Sequence, residues 1–60
     1  TIKQGSRGPL VAEVQEKLDI SPADGIFGPG TARIVKEWQS SNGLVADGIV
    51  GPKTLGKLLG

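Results

Sequence analysis

The groups in this chain that could do chemistry are six carboxylates: Glu13, Glu16, Asp19, Asp24, Glu37 and Asp47. The sequence has no histidine and no cysteine. An imidazole or thiolate zinc site and every histidine-based triad therefore lack their parts. A carboxylate pair could still hydrolyse a glycosidic bond if two side chains faced each other across the substrate. Their spacing argues otherwise: Glu13, Glu16 and Glu37 fall on the polar faces of predicted helices, and Asp24 and Asp47 each precede a glycine in a turn. Calcium loops set several acidic groups at alternating positions, whereas each turn here offers one carboxylate. Catalytic, metal and cofactor roles all lose their candidates, and the chain reads as a non-enzyme.

The turns that hold those aspartates repeat. Ala23-Asp24-Gly25-Ile26-Phe27-Gly28-Pro29-Gly30-Thr31 returns as Ala46-Asp47-Gly48-Ile49-Val50-Gly51-Pro52-Lys53-Thr54. The offset is 47 − 24 = 23 residues, and internal repetition of this kind marks a duplicated structural unit. A weaker echo, Gly8-Pro9, precedes the first apolar-periodic run. Proline suits the first helical position, where its missing N–H had no partner and its φ is already helical. Pro9, Pro29 and Pro52 therefore open three predicted helices. The first carries Val11, Val14, Gln15 and Leu18 on one face and stops near Asp19, before Pro22. The second carries Thr31, Ile34, Val35, Trp38 and Gln39 and ends at Asn42-Gly43. The third, with Leu55, Leu58 and Leu59, is too short to persist without tertiary packing.

Between helices, Asp24-Gly25 and Asp47-Gly48 are structural corners, with Gly28 and Gly51 closing each loop. The aspartate accepts backbone N–H groups and the glycine tolerates positive φ. Ile26-Phe27 and Ile49-Val50 are expected to fold inward, and Gln15 and Gln39 to bond to the loop backbone and tie helix to turn. The loops add at most a bridge or two of extended pairing. A hairpin between them is disfavoured by Pro29 and Pro52. The expected architecture is all-α: a compact three-helix bundle, residues 1–60 forming a single domain, read as a piece excised from a larger protein.

Seven basic residues against six acidic ones leave a net charge of +1. That balance lacks the clustered excess of cations that marks a nucleic-acid or anionic-membrane surface. No apolar run approaches the roughly 20 residues a membrane helix needs.

The pattern Gly5-x-x-Gly8-x-x-Val11-x-x-x-Gln15-x-x-Leu18, Asp24-Gly25-x-Phe27-Gly28-x-x-Thr31, Val35-x-x-Trp38-Gln39, then Gly43-Leu44-x-x-Asp47-Gly48-x-Val50-Gly51-x-x-Thr54, resembles the peptidoglycan-binding domain family of three-helix modules. The resemblance runs from Ile2 to Leu59, and two Asp-Gly-x-x-Gly-x-x-Thr elements at this spacing are far more specific than one. It implies a domain that anchors a covalently linked wall hydrolase, transpeptidase or phage endolysin to murein. It further implies an extracytoplasmic location, in the cell wall or periplasm or delivered there by a phage. Two departures stand out. The segment from Leu18 to Asp24 is shorter than in many relatives, which often place Gly-Tyr there, and Trp38 stands where phenylalanine is usual.

A shallow binder of amino sugars and short peptides works through amides, hydroxyls and a few cations. The candidates are Arg7 in the entry loop, Ser21 and Ala23 before the first corner, Arg33 on the second helix, and Ser40, Ser41 and Asn42 before the second loop. Arg7 and Arg33 offer planar forks for a peptide carboxylate. Trp38 could stack on a sugar, although its helical phase, shared with Thr31 and Val35, makes core packing the simpler account. The expected partners are peptidoglycan and an attached catalytic domain, with no nucleic acid or membrane, and a monomeric state. Two other readings rank lower. One is a regulatory module like the pro-domains of matrix metalloproteinases, whose inhibitory cysteine has no counterpart here. The other is a helical nucleic-acid binder, for which Arg33, Lys36, Lys53 and Lys57 supply too few cations.

Overall fold

The computed structural model describes residues 1–60 and contains three helices: α1, Pro9–Lys17; α2, Pro29–Ser41; and α3, Pro52–Leu59. Each starts with the expected pair, a glycine N-cap followed by proline in the first turn. No side chain caps any of these N-termini.

The C-terminal stops of α1 and α2 share one geometry. In α1 the Ile20 N–H donates to the Gln15 carbonyl (2.9 Å) and the Asp19 N–H to Glu16 (3.1 Å). In α2 the Leu44 N–H donates to the Gln39 carbonyl (2.9 Å) and the Gly43 N–H to Ser40 (3.3 Å). This paired closure requires a residue in the left-handed region just past the cap. Gly43 takes it at φ 71°, and Asp19 takes it at φ 59°. The helix thus ends at Lys17, slightly before the expected Asp19, because Asp19 is the reversing residue itself. Left-handed backbone disfavours a side chain, so Asp19→Gly is expected to stabilise the domain by about 0.5–1 kcal/mol. Urea denaturation followed by circular dichroism would show it as a higher midpoint with an unchanged slope.

Six side chains form the core: Ile2, Val11, Val14, Phe27, Val35 and Val50. Leu18, Ala32, Leu55 and Leu58 pack around them. The predicted stripes of α1 and α2 therefore face inward, with Ile34 and Trp38 half-buried at the margin. The principal helix–helix contact joins α1 to α3.

One expectation about the loops needs correction. Phe27 and Val50 are buried, but their neighbours Ile26 and Ile49 are 49% and 39% exposed. The segments are extended there, and successive side chains of an extended chain point to opposite sides. Only one of each apolar pair can reach the core. Extended pairing does occur, as two isolated antiparallel bridges, but its partner is the entry segment: Ile2 pairs with Val50 and Arg7 with Ile26. The two loops do not form a hairpin with each other. Residues 2–8 instead run past both loops and clasp them.

Candidate functional site

Each Asp-Gly corner is held by one buried glutamine. The two Nε2 hydrogens of Gln15 are shared among three acceptors, Asp24 Oδ1 (3.1 Å), the Ile26 carbonyl (3.0 Å) and Thr31 Oγ1 (3.2 Å). Its Oε1 accepts the Gly25 N–H at 2.8 Å. Gln39 repeats the set with Asp47 (3.2 Å), the Ile49 carbonyl (2.9 Å) and Thr54 (3.1 Å), and accepts the Gly48 N–H at 3.0 Å. Both glutamines are 1% exposed, and no buried side-chain polar atom lacks a partner. A buried amide is tolerable only when satisfied in this way. The tie between helix and turn expected from the sequence is present at both corners.

Each clamp also explains the neighbours that recur in both copies of the repeat. Gly25 and Gly48 sit at φ 74° and 75°, and a Cβ on Gly25 would stand 3.1 Å from the Gly8 carbonyl oxygen. Thr31 and Thr54 supply a hydroxyl from the first turn of the next helix, so three consecutive elements meet at one side chain. Since Gln39 and Thr31 both lie on α2, that helix belongs to both clamps.

The corner aspartates turn back onto their own loops. Asp24 Oδ1 accepts the Ile26 N–H (3.0 Å), and Asp47 Oδ1 accepts the Ile49 N–H (2.9 Å). At Asp24 that backbone bond, followed by the Gln15 amide, holds the carboxyl below its ordinary value. At Asp47 the Ile49 N–H does the same; partial desolvation opposes it and the Gln39 amide adds to it. A carboxyl whose pKa is lowered by folding contributes stability above its unfolded value, near 4, and loses that contribution as pH falls through the folded value. The melting temperature should therefore hold level from pH 7 to 5 and fall below about pH 4. The double variant Asp24→Asn, Asp47→Asn keeps an acceptor oxygen but should show a shallower acid fall in thermal denaturation. An unchanged acid limb would assign the effect elsewhere.

Around these corners lie open grooves. Arg7 and Ala23 line one of about 480 Å³, together with Pro9, Ala12, Asp24 and Ile26. Ser21 lines its neighbour of about 330 Å³, with Ile20, Pro22, Thr31 and Ile34. Asp24 and Ile26 border both. Three sequence candidates thus gather at the first corner. Arg33, Trp38, Ser40, Ser41 and Asn42 line none of the grooves. Asn42 is engaged at the end of α2, its Nδ2 donating to the Trp38 carbonyl at 2.8 Å. Arg33, Ser40 and Ser41 are exposed, and Trp38 is half-buried outside the core cluster.

The second corner has matching grooves that the sequence reading did not single out. One of about 410 Å³ runs past Leu44, Val45, Ile49, Pro52 and Lys53. Another of about 240 Å³ is bordered by Lys3, Gln4, Lys36, Asp47 and Gly48. The signal was available in part: the repeat carries every feature of the first corner to the second, and Ile49 matches Ile26. Lys3 and Lys36 lie outside the two matching nine-residue segments, and Lys53 stands where the first copy has Gly30.

The peptidoglycan binding domain family matches residues 7–58. The zinc D-Ala-D-Ala carboxypeptidase of Streptomyces albus G is 40% identical over 65 residues, which cover 97% of this chain and 26% of that protein. The chain thus spans about a quarter of the carboxypeptidase's length. A crystal structure of a peptidoglycan-binding protein from Clostridioides difficile, in complex with glutamine hydroxamate, superposes with a TM-score of 0.88 at 38% identity, covering 95% of this chain and 39% of that one. The endolysin of Burkholderia phage AP3 superposes with a TM-score of 0.90 at 39% identity, covering 95% of this chain and 24% of that one.

Proposed function

The chain belongs to the peptidoglycan binding domain family, and from that premise we propose that it binds bacterial cell-wall peptidoglycan and holds a covalently attached wall enzyme against it. The observation that carries the reading is the agreement of the whole fold, at nearly 40% identity, with modules of a wall-binding protein and a phage endolysin. The chemistry of the corners agrees with a binding role. Asp24 and Asp47 are bonded to their own loops and stand on separate turns, each without a second acid beside it in its groove.

Ligand contact falls first to Arg7, Ser21 and Ala23, which the fold gathers at one corner. Arg33, Trp38, Ser40, Ser41 and Asn42 form a second set along α2, available to a long polymer that runs past the corner. The domain acts outside the cytoplasm, as a monomer, without nucleic acid or membrane as partner. Shallow grooves give modest affinity, on the order of micromolar to millimolar, and retention comes from repeated rebinding along a repetitive wall.

Sedimentation with purified, insoluble sacculi tests the proposal. The folded domain should pellet with the sacculi at low and moderate salt, and sacculi digested to soluble fragments should compete. A domain that stays in the supernatant under both conditions overturns it.

A further inference from the structure

The entry segment and the duplication together place opposite charges at each corner. At the first, Arg7 shares a groove with Asp24. At the second, Lys3 and Lys36 share one with Asp47. These grooves occupy the same place in the repeat: Ala12 lies three residues before the clamp Gln15, and Lys36 three before Gln39, each facing the corner glycine. At Gly48 a Cβ would stand 3.1 Å from Lys36 Cε, so the lysine stem lies across the corner. The entry segment delivers a cation to each groove because Ile2 pairs at the second loop and Arg7 at the first.

The anionic half of each groove is only partly used. At both corners the two hydrogen bonds within the chain arrive at the same carboxylate oxygen, Oδ1. No hydrogen bond within the chain reaches Oδ2 at either corner, and each aspartate lines its groove with a carboxyl held below its ordinary value by its backbone donor.

Resting on the wall-binding reading above, we propose that the two corners are paired subsites for a zwitterionic amino-acid end, a free ammonium and a free carboxylate on one carbon, as the side-chain end of a diamino dicarboxylic stem-peptide residue presents when it is not cross-linked. The aspartate Oδ2 takes the ammonium. Arg7 at one corner, and Lys3 with Lys36 at the other, take the carboxylate. A neutral glycan offers neither charge, and a polyanion would meet an aspartate at each site. The charges are exposed and therefore screened by salt, so single-site affinity is weak, and two sites per domain raise the retention.

The test is a chemical-shift titration of the labelled full chain with D-alanine, N-acetyl-D-alanine and D-alaninamide. D-Alanine should shift the amides of Arg7, Gly8, Gly25 and Ile26 at one corner, and of Gly48 and Ile49 at the other. Each blocked probe lacks one charge and should bind about tenfold more weakly. Arg7→Gln should abolish the shifts at the first corner and spare the second, and Lys36→Gln should do the reverse. Equal binding of a blocked probe, or a response at one corner alone, overturns the paired subsites. Sacculi sedimentation of the same sample separates the two levels. Silent corners with sacculi still retained defeat the subsites and leave the wall reading standing, whereas loss of both defeats both.

Discussion

Gln15→Ala should leave the domain largely unfolded at room temperature. The substitution strips the Gly25 N–H, the Ile26 carbonyl and Thr31 Oγ1 of a partner at a site that is 1% exposed. One buried, unsatisfied backbone donor costs about 1–3 kcal/mol, and the vacated volume adds a cavity cost. The total, about 3–4 kcal/mol, matches the whole stability a core of this size supplies. Gln39→Ala should behave alike, since its amide closes the same set at the second corner.

Gln15→Glu sharpens the test, because shape is kept while the donor becomes an acceptor. The new carboxylate would face Asp24 Oδ1 and the Ile26 carbonyl, both acceptors. Its folded-state pKa would be raised, so stability is present at low pH and lost as pH rises through that value. This variant should gain structure on mild acidification, where the parent gains none. Urea titrations by circular dichroism read each case. A midpoint shift worth less than about 0.5 kcal/mol for Gln15→Ala would show that the clamp is incidental to stability.

Removing residues 1–6 should abolish cooperative folding as well. Ile2 is a core member, 8% exposed, and exchanges two backbone bonds with Val50 at 3.0 and 2.8 Å. The Gly5 N–H donates to the Phe27 carbonyl and the Phe27 N–H to the Ser6 carbonyl, both at 2.9 Å. Truncation thus removes a buried side chain and four backbone bonds, and opens Phe27 and Val50 to water. Ile2→Ala alone should cost about 2–4 kcal/mol. The family match begins at residue 7, so a fragment cut there would omit this clasp. Amide spectra of a 7–60 fragment should lack dispersion, and a fragment that melts like the parent would show the clasp to be dispensable.

Both predictions turn on contacts that differ in how far they could be read from residues. The glutamine clamps were legible: an amide ending an apolar stripe, with an Asp-Gly corner following at matched spacing, has one economical use. Even so, Thr31 was read as a member of a helical face and Thr54 only as its match in the repeat, and the fold alone shows them closing the clamps. The clasp was not legible. Thr1 to Gly8 carries one strong apolar residue and no periodicity, so nothing local announces that it pairs with two distant loops. The candidate binding residues divide in the same way. Arg7, Ser21 and Ala23 meet at a corner, while Lys3 was not singled out and Lys36 was weighed only as a nucleic-acid cation, because their groove forms from three separate elements.

Local rules thus determined the helix starts, the reversals and the corners. Proline and glycine restrict φ within a residue or two, and aspartate bonds to backbone two positions on, so those outcomes travel with the sequence itself. Tertiary structure alone decided which of Ile26 or Phe27 turned inward, where the entry segment docked, and which charges came to share a groove. Each of those outcomes required segments far apart in the chain to compete for the same buried surface, and that competition is settled by packing.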